Sequence, residues 1–183
     1  MTDMEQTAKL LYGHLEILTR EIGERSVRYP ENLDKTADYL VSFYESIGVP
    51  VRRQVYEYAG RPVSNIIAEI GKAGNDSKHY IIGAHYDSVA GTVGADDNAS
   101  AVAVKLETAR ALAKLDGFAE SGTAVTFVSF ALEEPPVYGT RYMGSRVYAK
   151  KARDKGIRID GMICLEMVGY TCHEPGCQNY PFP

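Results

Sequence analysis

Tyr80-Ile81-Ile82-Gly83-Ala84-His85-Tyr86-Asp87-Ser88 decides how this chain is read. An apolar run with strand character ends abruptly and delivers an imidazole and a carboxylate at its exit. Three further carboxylate motifs follow: Gly94-Ala95-Asp96-Asp97-Asn98, then Glu133-Glu134 after Ala124-Val125-Thr126-Phe127-Val128-Ser129-Phe130, then Leu165-Glu166-Met167 after Met162-Ile163-Cys164. The strand-borne motifs all sit where a buried strand stops. In an open α/β sheet, ligands collect in the crevice beyond the carboxyl ends of the strands. One imidazole and several carboxylates gathered there describe a hydrolytic zinc site.

Working outward, helical and strand periods alternate. Leu10, Leu11, Leu15, Leu18 and Ile22 recur at helical spacing and stop at Gly23, and a second helix is predicted from Asn32 to Ile47. Val49 to Tyr58 alternates like an edge strand, whereas Val63 to Ile70 and His79 to Ala84 read as buried ones. Asn98 to Leu115 is the strongest helix, with Val102, Leu106, Ala109 and Leu112 on one side. Thr123 to Ala131 and Ile159 to Met167 read as central strands, Gly139 to Lys155 as a surface helix, and Cys172 to Pro183 as a loop. The expected architecture is a three-layer αβα sandwich with a mixed, mostly parallel sheet. Residues 1–183 are expected to form a single domain, since 183 residues with 45% hydrophobic content can bury one core.

Composition excludes several classes of function. A net charge of −4, with Lys and Arg scattered among the acids, provides no basic stripe for nucleic acid. The apolar runs are far shorter than the roughly 20 residues that cross a bilayer. Met1-Thr2-Asp3-Met4-Glu5-Gln6 lacks a signal-peptide pattern, so a cytoplasmic location is expected. Cys172 and Cys177 can pair across Pro175-Gly176, but free thiols are expected in a reducing compartment. No Gly-x-Ser-x-Gly elbow supports a serine hydrolase.

Singly, each motif has an ordinary explanation. A strand-end histidine is usually a surface or hydrogen-bonded residue, Asp96-Asp97 suits a turn or helix cap, and Glu133-Glu134 suits a solvated loop. Asp87 counts against the ordinary reading of His85, because a carboxylate two residues on is placed to take the imidazole's other N–H and fix its tautomer. Glu166, inside an apolar run, is hardest to dismiss, since glutamate is almost never buried without a partner.

Together these motifs resemble the cocatalytic dizinc exopeptidases of the bacterial leucyl-aminopeptidase type, a family that includes glutamate carboxypeptidase and the glutaminyl cyclases. The resemblance runs from Asn65-Ile66-Ile67-Ala68 to Leu165-Glu166-Met167-Val168-Gly169-Tyr170. It implies that His85 and Glu166 ligate one zinc, that Asp97 bridges two, and that Glu134 binds the second. Glu133 is then the general base, Asp87 the residue that orients His85, and the Asp97-Asn98 peptide cis. The implied activity is hydrolysis of N-terminal residues from peptides; the alternatives are a glutaminyl cyclase and a non-catalytic metal-binding relative. A carboxypeptidase would want a basic pocket, for which Arg141 and Arg146 are nearby but uncommitted. The second metal of the family takes a histidine well downstream of the strand bearing Glu166, and His173 follows Glu166 too soon to be that residue. The chain is therefore expected to lack C-terminal elements of the fold and to expose a sheet edge on which a second copy can pair.

Overall fold

The computed structural model describes residues 2–72 and 77–177. The first helix, α1 (Asp3–Glu16), starts with a capping box: Glu5 N–H donates to Thr2 Oγ1 at 3.2 Å, and Thr2 N–H donates to Glu5 Oε2 at 2.8 Å. It widens into a π turn over Ile17–Ile22 that ends at Gly23. Helix α2 (Pro30–Ser46) has Pro at its first position, where a missing N–H costs nothing, and buries Leu33, Ala37, Leu40 and Tyr44 along one stripe. Strands β1 (Val51–Tyr58), β2 (Arg61–Ile70) and β3 (Lys78–His85) follow. After a π turn at Ala95–Ser100 come α3 (Ala101–Ala113), β4 (Thr123–Phe130), α4 (Gly144–Asp154) and β5 (Gly161–Cys164).

The strand order is β1-β2-β4-β3-β5. β2 pairs antiparallel with β1 and β4, while β3 pairs parallel with β4 and β5, so β2 alone runs against the other strands. Successive side chains in a strand face opposite ways, and the two faces are covered separately. Ile66, Ala68, Phe127 and Ala84 pack with Leu33, Leu40, Tyr44, Val102 and Leu106 from α2 and α3. Ile67, Ile81, Val128 and Phe130 pack with Tyr148 and Ala152 of α4. This is the expected three-layer sandwich.

Four expectations need correction. Ile159 to Met167 is not a central strand: β5 spans only Gly161–Cys164, and Ile163 is 59% exposed, because among the described residues nothing pairs with its outer edge. The helix predicted from Asn98 starts at Ala101, since Asp97 and Asn98 hold non-helical dihedrals, and that predicted from Gly139 starts at Gly144 after a series of turns. Cys172 and Cys177 are not free thiols; the turn at Pro175-Gly176 brings their Cα atoms to 6.3 Å, within disulfide reach, and they are bonded. Of the loop expected to run to Pro183, residues 178–183 lie outside the described residues. Among the described residues no helix is long and apolar enough to cross a membrane.

A buried cation on α3 was not foreseen. Lys105 lies on the same stripe of α3 as Val102, Leu106 and Ala109, is 0% exposed, and donates to Ser129 Oγ on β4. Burial lowers its ammonium from the usual lysine range to about 7. Between about pH 7 and the ordinary lysine value the unfolded chain carries a proton that the folded chain has lost, so Lys105 makes stability rise with pH there, by at most about 1.4 kcal/mol per unit. Lys105→Met is expected to stabilise the fold at pH 7 by roughly 1–4 kcal/mol, the range seen when buried ionic groups yield to apolar ones. The gain should shrink as pH rises from 7 to 10. Urea unfolding of both proteins across that range checks this, and parallel stability curves would refute it.

Candidate metal centre

The sheet register brings the motifs to one rim. His85 sits opposite Phe130 of β4, so parallel β3 and β4 end level, and β5 stops a little short with Cys164 opposite Gly83. The residues just beyond those ends are Asp87, Glu133-Glu134 and Glu166. Leu165 N–H donates to Gly83 O at 2.8 Å, which carries the β3–β5 pairing up to Glu166. His79 occupies the opposite end of β3, bonded to Thr126 and Arg158 O, and His14 is buried on α1 beside Tyr39 and Glu107. Neither belongs to the rim.

His85, 4% exposed, is the hub. Its Nε2 lies 3.0 Å from Asp97 Oδ1, 3.4 Å from Glu166 Oε1 and 3.9 Å from Glu133 Oε2, and its Nδ1 lies 3.3 Å from Asp87 Oδ1. Asp87 does more than orient the ring: its Oδ1 accepts from Glu133 N–H at 3.0 Å and its Oδ2 from Glu134 N–H at 2.9 Å. One buried carboxylate thus ties the end of β3 to the turn that carries both glutamates. Ligand atoms of His85, Asp97 and Glu166 lie within 4.8 Å of one another, and so do those of His85, Glu133 and Glu134. Asp97 and Glu134 fall in separate groups that share His85.

The electrostatics are those of an acid-rich pocket with one base. Burial raises the Asp97, Glu133 and Glu134 carboxyls, Glu134 to about 7 with the Asp97 charge adding. Burial opposes a charge on His85, but hydrogen bonds and charges from Asp87 and Glu166 outweigh it and raise the imidazole to about 11. A proton on His85 thus serves as the cation that holds these carboxylates together when no metal does. Among the described residues, two buried carboxylate oxygens at the rim, Asp97 Oδ1 and Glu134 Oε1, have no hydrogen-bond partner, although His85 Nε2 lies 3.0 Å from the former. Orphaned acceptors beside a neutral-capable imidazole are the donor set that Zn²⁺ and similar divalent ions take. The residues present fit such an ion.

Several contributors escaped the sequence reading. Asn98 Nδ2 donates to Glu166 Oε2 and to Leu165 O, each at 3.1 Å, while its Oδ1 accepts from Met167 N–H at 3.1 Å, so it aims Glu166. Asp96 accepts from Gly169 N–H and Ser100 Oγ–H; of the adjacent aspartates, it is the turn-forming one and Asp97 the one that reaches the hub. Asn98 stood inside a noted motif and was within reach of sequence reasoning. Arg25, treated below, carried no signal at all. The Asp97-Asn98 peptide is cis, as the resemblance implied. His173 joins neither acidic group, and the flanking cysteines are consumed by their disulfide.

The family model for peptidase family M28 matches residues 65–181, from β2 across every motif of the rim. The chain belongs to peptidase family M28. Over 174 residues the M28 chain is 40% identical to the Escherichia coli K12 protein YfbL, a match that covers 91% of this chain and 51% of that one. It thus spans about half the length of that relative. Solved structures share the fold, among them an aminopeptidase and a glutaminyl cyclase. The zinc aminopeptidase BSAP of Bacillus subtilis superposes with a TM-score of 0.72 at 17% identity, covering 88% of this chain and 69% of that one. The glutaminyl cyclase of Porphyromonas gingivalis superposes at 0.69 and 25% identity, covering 90% and 59%.

Proposed function

We propose that this M28 chain carries the zinc centre of an aminopeptidase, which hydrolyses the first peptide bond of its substrate. The observation that supports this is the convergence of Asp97, Glu166 and Glu133 on His85 Nε2, with acceptors on Asp97 and Glu134 left without donors. His85, Asp97 and Glu166 would hold one zinc, and Asp97 and Glu134 a second. Bound there, zinc would polarise a peptide carbonyl and acidify water. Asp87 fixes His85 through Nδ1, so that Nε2 faces the rim. Asn98 holds Glu166 in the same direction. Glu133, with its backbone fixed by Asp87 and its side chain partly open to solvent, takes a proton from the attacking water. Water oxygen then bonds to the carbonyl carbon, the C–N bond breaks, and Glu133 passes the proton to the departing amine.

The test is hydrolysis of aminoacyl anilides with metal content measured on the same sample. Zinc should co-purify or be taken up, chelation should remove metal and turnover together, and added zinc should restore both. Turnover indifferent to chelation would overturn the reading. Cyclisation of glutaminyl peptides without anilide hydrolysis would move the chain to the chemistry of the glutaminyl cyclases that share its fold.

A further inference from the structure

His85 and Asp97 are joined by an irregular segment, residues 86–96, which exposes Val89, Gly91, Thr92 and Val93 and has no strand to hold it. Its shape sets the separation of two residues read above as ligands. What holds it comes from far upstream. Arg25 lies between the π turn that ends α1 and the start of α2, is 1% exposed, and spends its guanidinium on backbone carbonyls. Nε donates to Tyr86 O at 2.8 Å, one residue after His85. Nη1 donates to Val93 O at 2.8 Å, and Nη2 to Gly94 O at 3.1 Å, three residues before Asp97. Nη1 also donates to Leu18 O at 2.9 Å, which accepts from Gly23 N–H as well, and to Gly23 O at 3.1 Å, where the π turn ends. The backbone joins in: Arg25 N–H donates to Ser88 Oγ at 3.0 Å, and Ser88 N–H to Arg25 O at 3.4 Å.

The fit is specific. Gly94 has φ +52°, and a Cβ there would collide with the Asp97 carbonyl and sit 2.6 Å from Ser88 Cβ and 3.2 Å from Arg25 Nη2, so the absent side chain lets the segment fold tightly beneath the guanidinium. A planar fork of five N–H donors can bridge carbonyls on both limbs of a loop, which a lysine's point charge cannot.

We propose that Arg25 is a positioning residue for the metal centre: by clamping both ends of segment 86–96 to the end of α1 it fixes His85 relative to Asp97 and thereby sets zinc affinity. The inference rests on the zinc reading of the rim given above. Arg25 touches neither metal ligand nor substrate.

Zinc affinity, measured by competition with a chromophoric chelator, tests it on the wild type, Arg25→Lys, Arg25→Ala and a control, Leu40→Ala, which removes buried apolar volume from α2. Both Arg25 variants should bind zinc at least ~10-fold more weakly, the scale seen when groups supporting ligands are lost. Millimolar guanidinium ion should restore affinity to Arg25→Ala and leave Arg25→Lys unchanged; Leu40→Ala should lose stability with affinity intact. In the zinc-free proteins, amides of residues 86–96 should exchange faster in Arg25→Ala, and guanidinium should slow them. Wild-type affinity in both Arg25 variants, or a loss that guanidinium does not reverse and Leu40→Ala reproduces, overturns the proposal. A wild-type protein that takes up no zinc sinks the metal reading itself, and the exchange arm then decides the clamp alone: unchanged exchange in 86–96 ends it.

Discussion

Glu133→Gln is expected to lower the rate of anilide hydrolysis by roughly 10²–10⁴-fold, the usual worth of a positioned general base, while the protein keeps its zinc and its fold. Gln has the shape of Glu and cannot carry a proton at neutral pH. The position tolerates the change, because the hydrogen bond that holds residue 133 runs from its backbone N–H to Asp87 and does not involve the side chain. The measurement must pair kinetics with metal content, since the geometry leaves two roles within reach: Glu133 Oε2 is 3.9 Å from His85 Nε2 and groups with Glu134 around it. Lost turnover with zinc retained makes Glu133 the proton carrier. Lost zinc makes it a ligand, and unchanged turnover removes it from the mechanism.

What the sequence disclosed and what it withheld divide along a physical line. The rim was legible because strands announce themselves by period and stop at fixed places; His85, Glu133 and Glu166 all follow apolar runs, and parallel pairing brings such ends to one rim without further information. That β1 lies at an edge was legible for the same reason, whereas its antiparallel pairing with β2 was not read from the sequence. Arg25 was not, because its partners are backbone carbonyls of residues 18, 23, 86, 93 and 94, and a carbonyl has no letter in the sequence. Lys105 hid for another reason: its stripe on α3 read as apolar from Val102, Leu106 and Ala109, and no spacing marks the one lysine among them as buried against Ser129 of a distant strand. The misplaced β5 shows the converse. Met162-Ile163 has the composition of a central strand, but whether a strand is central depends on what pairs with its other edge.

Asp87→Ala should be the most damaging single change at the rim, and Asp87→Asn reveals why. The carboxylate is 2% exposed and accepts from Glu133 N–H and Glu134 N–H while facing His85 Nδ1. Alanine leaves two part-buried backbone donors without their acceptor, each costing about 1–3 kcal/mol, so a loss of roughly 2–5 kcal/mol in urea unfolding is expected. Asparagine keeps the volume and one acceptor but turns an NH₂ toward a donor. Either a glutamate N–H or the imidazole then goes unsatisfied, and a smaller loss of about 1–3 kcal/mol should follow. The two variants part company on the metal. Both should weaken zinc by ~10–100-fold, because the tautomer and orientation of His85 are no longer enforced, even though asparagine recovers part of the stability. In the zinc-free protein, removing the Asp87 charge takes away one of the two carboxylates that outweigh burial at His85. The imidazole of Asp87→Asn should therefore lose its proton at lower pH than in the wild type, which ring ¹⁵N shifts report directly. Stability that falls with neither zinc affinity nor the His85 titration moving would make Asp87 a staple between β3 and the glutamate turn and nothing more.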